Sequence, residues 1–148
     1  MLYKNTLIFT LILLFFSTLS CVSIENEDFT TNGSLSEDAI TYGGYQREYI
    51  TYEPSRIDKN KAVPLLLVLH GGGGTNEGMM RLIKNRFNGL ANIHKFYVVY
   101  PQGLEKGWND GRDDLEQFSS KNNIDDVGFL KNLFIHYSQN IILMKTKY

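Results

Sequence analysis

The stretch Leu67–Gly78, LVLHGGGGTNEG, ends an apolar run on one histidine and then four consecutive glycines. Glycine in series is costly to order, because glycine loses more backbone freedom on folding than any other residue. A chain that keeps four needs either a tight turn or bare main-chain N–H groups close to something. The residues just before them, Leu65 to Leu69, are apolar without alternation, which predicts a strand covered on both faces, as in a parallel sheet. After them, from Asn76 to Lys95, Met79, Leu82, Ile83, Phe87, Leu90 and Ile93 recur near helical spacing, with Gly89 weakening the helix but not ending it. Phe96 to Tyr100, FYVVY, is a second dense apolar strand closed by Pro101. Strand, glycine loop, helix, strand is a βαβ unit, and it predicts an α/β fold with a mostly parallel sheet flanked by helices.

Upstream, Tyr45 to Tyr52 (YQREYITY) alternates and is rich in β-favouring residues, so it reads as a strand ended by Pro54. Residues 21–44, and Ser23 to Tyr42 in particular, are polar with almost no periodicity and read as a flexible spacer. Residues 1–20 have a positive start at Lys4, an apolar run from Thr6 to Phe16, and small residues after it, the pattern of a secretory signal peptide. That run is too short for a membrane helix, which needs about 20 apolar residues. The chain's one cysteine, Cys21, follows directly in Thr18-Leu19-Ser20-Cys21. This resembles a bacterial lipobox, with Cys21 the lipidated residue, although Thr18 stands where such boxes carry Leu; the alternative is an ordinary signal peptide cut near the cysteine. Both place the mature protein outside the cytoplasm, secreted or lipid-anchored at the cell envelope, and without a disulfide of its own.

Downstream, QGLEKGWNDGRDD is turn-rich with the single Trp108 set in it. Asn123, Asp125 and Asp126 then precede a periodic apolar run and predict a helix start, with Val127, Leu130, Leu133 and Phe134 as its buried stripe. The Asp pair reads as capping rather than catalytic. The 148 residues suffice for one domain, and 43% hydrophobic and 13% aromatic content marks a globular chain. With 15 basic and 16 acidic residues spread evenly, no electrostatic footprint for nucleic acid exists.

Three readings of the glycines compete. A phosphate loop lacks its G-K-[ST] and the spacing of a dinucleotide fingerprint. A plain strand-to-helix turn needs no ligand. The third is an oxyanion hole: His-Gly-Gly-Gly after a sheet strand is the oxyanion motif of many α/β-hydrolases, in which main-chain N–H groups hold the charge of an acyl-transfer intermediate. REYITYEP, PLLLVLHGGGG, FYVVYPQG, GWNDGR and DDVGFLKNL follow one another between Arg47 and Leu133. This ordered set resembles the secreted esterases of the polyhydroxybutyrate depolymerase and feruloyl esterase family, which are α/β-hydrolases.

The resemblance implies a carboxylic-ester hydrolase acting on a polyester or plant-wall ester, with no metal or organic cofactor, and with membrane contact only through a lipid on Cys21. It implies an oxyanion hole within Gly71, Gly72 and Gly73, Gly72 being favoured, and places Trp108 and Asn109 near the mouth of the acyl pocket; a packed loop tryptophan is the other reading of Trp108. His70 is implied as a structural residue that holds the loop, and His94 and His136 as ordinary residues.

The family also requires Ser on a G-x-S-x-G elbow, then an acid, then His. No serine here lies between glycines at that spacing; Ser119, Ser120 and Ser138 are all in unsuitable surroundings. The family pattern therefore makes residues 45–138 a partial catalytic domain that stops before the nucleophile strand, and predicts an inactive chain. Gln139 to Tyr148, QNIILMKTKY, departs from the polar turn and strand expected next. One permitted set of codons, read two bases later, restores a family-like approach to that strand, so residues 139–148 are expected to be an out-of-frame or non-native tail. Other readings are a surface-anchored protein that binds an ester or a polysaccharide without turnover, and a nonfunctional gene fragment.

Overall fold

The computed structural model describes residues 31–112 and 114–140. The signal segment 1–20, Cys21 and residues 141–148 lie outside the described residues.

Strand β1 (Ser34–Tyr42) turns back through Gly43 and Gly44 into β2 (Tyr45–Glu53). Both glycines have positive φ, +59° and +83°, as a two-residue hairpin of the right twist demands. The expected spacer is thus corrected over Ser34–Tyr42. Its polar sequence hid a strand because most of its residues are exposed, so no apolar alternation was written into it.

β3 (Leu65–Leu67) leads into the glycine loop, then come helices α1 (Asn76–Leu82) and α2 (Arg86–His94), and β4 (Tyr97–Pro101). The sheet order is β1-β2-β4-β3. Only β3 and β4 run parallel; β1 with β2 and β2 with β4 are antiparallel. The architecture is α/β as expected, but the described sheet is mixed rather than mostly parallel, because a hairpin delivers β2 against the βαβ unit. β4 is buried at every residue, as its unbroken apolar sequence requires of a strand covered on both sides.

The expected single helix from Asn76 to Lys95 is two. Lys84 and Asn85 have φ of +51° and +56°, a conformation that asparagine tolerates better than most residues and that no helix can continue through. The break rotates the second half. Met79, Met80, Ile83 and Phe87 still reach the sheet, while Leu82 and Ile93 are 76% and 58% exposed. Thr75 caps α1 by accepting the Gly78 N–H at 3.0 Å.

A 3₁₀ turn (Leu104–Lys106), short helix α3 (Phe118–Lys121) and long helix α4 (Asp126–Asn140) complete the order. Helix α4 covers the other face of the sheet through Phe129, Leu133 and Tyr137, which pack on Tyr49 and Val99. Burying each such apolar side chain contributes roughly 1.5–3 kcal/mol. The expected stripe is corrected in part: Leu133 is buried, but Val127 and Phe134 are exposed, because the i, i+4, i+8 line from Phe129 faces the sheet. Gln139 and Asn140, assigned to the tail, complete α4.

Candidate active site

Four amides follow His70, and the chain itself uses two of them. Gly73 N–H donates to the Lys106 carbonyl at 2.8 Å, and Gly74 N–H to the Gly71 carbonyl at 3.0 Å. The latter closes a β-turn whose third residue, Gly73, has φ of +75°, the position where such turns take glycine. The amides of Gly71 and Gly72 bond no described residue. Of the three glycines the sequence nominated, Gly73 is therefore engaged by its own polypeptide, and Gly71 and Gly72 keep free donors. Both line a cavity of about 210 Å³ with Leu69, His70, Trp108 and Gln117, with Asp110 and Arg112 also on its wall.

His70 holds this loop in place. It is 4% exposed, and both ring nitrogens are committed. Nδ1 lies 2.8 Å from the Gly71 carbonyl, so it carries the proton. Nε2 then accepts from Gly103 N–H at 3.0 Å and faces Gln102 Nε2 at 3.1 Å. Gln102 in turn accepts the Asn76 N–H at the start of α1 through Oε1, 2.9 Å. One imidazole thus ties the glycine loop to the segment after β4, and neither nitrogen is left to take a proton from a nucleophile.

Trp108 stacks its ring 5.0 Å from that of His70 and donates its Nε1–H to the His70 carbonyl at 2.9 Å. It is both packed and on the cavity wall. Asn109 is placed differently. Its side chain donates to the Ile124 carbonyl at 3.0 Å, and its main-chain N–H to Asp126 Oδ2 at 2.6 Å. It fastens the Trp108 loop to the start of α4 and is not among the residues lining the cavity.

The Asp pair divides its work. Asp125 caps α4 by accepting the Gly128 N–H at 2.8 Å, and also accepts the Tyr42 hydroxyl at 2.7 Å. The Tyr42 bond first, then the Gly128 amide, hold the Asp125 carboxyl below its ordinary value of 3.8. Asp126 is buried and pairs with buried Arg47 at 2.6 Å, while the Arg47 guanidinium lies 3.9 Å over the Phe129 ring. This ion pair joins the REY segment of β2 to the DDVGF segment that opens α4, a link that no spacing in the sequence signals.

Ser119 is fully buried, its hydroxyl between the carbonyls of Gly107 and Leu104 at 3.1 and 3.3 Å, and Ser138 bonds back to its own helix at Ile135. His94 ends α2, and His136 packs edge-on against Tyr137. Gln117 was missed by sequence reasoning. It is one of several polar residues in that loop, next to Glu116, and only the fold brings it to Gly72. Among the described residues no three His, Cys, Asp or Glu side chains gather as a metal set.

No family model and no curated protein sequence matches the chain. Solved structures do. A thermostable esterase superposes with a TM-score of 0.55 at 14% identity, over 76% of this chain and 32% of its own. A ferulic acid esterase gives 0.52 at 17%, over 76% and 45%. The fluorophosphonate-binding serine hydrolase FphF of Staphylococcus aureus, solved with substrate bound, gives 0.51 at 16%, over 76% and 43%. The chain spans less than half the length of each of these enzymes. With β3 feeding a glycine loop beside a central buried β4 and helices on both faces, the described residues form part of the α/β-hydrolase fold of these structures.

Proposed function

We propose that the chain supplies the oxyanion-binding part of an exported carboxylic-ester hydrolase of the serine type. The observation that carries this reading is the division of labour in the glycine loop: Gly73 and Gly74 amides are used internally, while Gly71 and Gly72 keep theirs and line the cavity under Trp108. When a nucleophile adds to an ester carbonyl, the C=O π bond opens and its electron pair becomes negative charge on oxygen. Fixed N–H donors that need no reorganisation stabilise that charge, each lowering the barrier by about 3–4 kcal/mol. The esterase neighbours give this fold a precedent for such chemistry.

The 148 residues contain no G-x-S-x-G, so the serine, acid and histidine come in this reading from polypeptide beyond them, and the chain alone is inactive. Substrates are esters, the acyl group resting against Trp108; nucleic acid has no part. Export rests on the pattern of residues 1–20, and attachment to a membrane on lipidation of Cys21.

The test is p-nitrophenyl acetate hydrolysis by the purified chain and by the chain continued through the coding DNA beyond Tyr148, in the frame that encodes a nucleophile elbow. Turnover is expected only in the continued chain. Turnover by the 148 residues alone that survives removal of contaminants would hand the chemistry to another residue and overturn the assignment.

A further inference from the structure

Resting on that reading, we propose that Gln117 is a third donor at the same cavity, and that it selects esters over amides by hydrogen-bonding the leaving-group oxygen. Its backbone is pinned on both sides: its N–H donates to the Asp114 carbonyl at 3.1 Å, and its carbonyl accepts the Lys121 N–H at 2.9 Å. The next residue but one is the fully buried Ser119. From that fixed point the carboxamide reaches across the cavity wall and lies against two glycines. A Cβ built on Gly72 would stand 3.0 Å from Nε2, and one built on Gly107 would stand 2.8 Å from Oε1. A side chain at either glycine would push the amide aside, and its nitrogen end lies over the glycine whose own N–H is free.

Neither amide atom of Gln117 hydrogen-bonds a described residue, so Nε2 has two N–H groups to offer. The charged groups on the same wall are paired off: Arg112 meets Asp110 through Nε at 2.7 Å and Nη2 at 2.6 Å. The donors left for a ligand are therefore neutral, suited to an uncharged carbonyl compound rather than a phosphate. An ester bound with its carbonyl oxygen on Gly71 and Gly72 has one more acceptor, the alkoxy oxygen. Nε2 is a donor only, so it can hold that oxygen, whereas the N–H of an amide would meet it donor to donor. Rejecting a ligand by an unmatched polar group is a strong form of discrimination.

The experiment uses the ¹⁵N-labelled full chain, at a concentration where it sediments as a monomer, titrated with methyl benzoate and with N-methylbenzamide, two neutral probes of nearly equal shape. The ester is expected to shift the Gly71 and Gly72 amides and the Gln117 side-chain NH₂ saturably, and to bind about five-fold tighter than the amide, the contribution of one net hydrogen bond. Gln117→Leu should bring the two affinities together, and Gln117→Glu, an acceptor in place of a donor, should reverse the preference. An ester-to-amide ratio unchanged in both variants, with the Gly71 and Gly72 shifts intact, overturns the role of Gln117 and leaves the oxyanion reading standing. Absence of saturable shifts at Gly71 and Gly72 with either probe overturns that reading itself, and the role of Gln117 with it.

Discussion

Both nitrogens of His70 are bonded, and this decides its part more firmly than its place beside four glycines. Replacing it with Phe keeps the ring against Trp108 but removes the acceptor of the buried Gly103 N–H and the donor to the Gly71 carbonyl. A buried donor left without a partner costs about 1–3 kcal/mol. His70→Phe is therefore expected to lose at least that much stability in urea unfolding, and to shift the emission of Trp108, the single tryptophan. A variant as stable as the parent would mean that the ring does not hold the loop. At this scale the sequence is legible only up to a point. It marks Gly71 to Gly73 as special, yet which amides stay free depends on the Lys106 carbonyl, more than thirty residues on, and on a turn closed by Gly74. Pairings of that kind leave no trace in local spacing, and the position of Gln117 beside Gly72 leaves none either.

Among the elements, β3 and β4 announce themselves, because strands covered on both sides must be apolar at every position. β1 does not, since an exposed edge strand is free to be polar, and the Gly43–Gly44 turn is its one local signal. The break between α1 and α2 is equally silent, resting on a backbone state at Lys84 and Asn85 that composition does not write. The tie between elements with most consequence is Arg47 of β2 with Asp126 of α4, 1% and 4% exposed. Removing one partner of a buried pair leaves the other charge uncompensated, at a cost of about 3–5 kcal/mol. Arg47→Met and Asp126→Leu should each show a loss of that size by denaturant titration. The double variant should recover part of it, and not all, because Asn109 N–H also donates to Asp126 and is orphaned in both backgrounds that lack the carboxylate. Single variants within 1 kcal/mol of the parent would show the pair to be solvated in solution.

For the molecule as a whole, the sheet ends on β3, which among the described residues pairs only with β4. An apolar strand with one row of N–H and C=O groups unpaired is a template for another chain, and natural edges are normally blunted by charge, proline or a covering element. β3 is Leu-Leu-Leu with none of these devices in it. Nearby apolar surface adds to the exposure: Leu69 is 38% accessible, and α4 presents Val127 at 74%, Phe134 at 44% and Ile135 at 40%. The solved structures that superpose on the chain extend over more than twice the matched length, which gives such surfaces room to be covered. The purified 148-residue chain is therefore expected to self-associate with rising concentration in analytical ultracentrifugation and to enhance the fluorescence of an apolar dye, even while its far-UV dichroism shows the mixed α/β content. Since edge pairing and apolar burial both drive association, moderate urea should disperse the oligomers before it unfolds the sheet, whereas salt should leave them intact. A chain that sediments as a monomer at all concentrations, melts cooperatively and binds no dye would show that the β3 edge is already closed in solution.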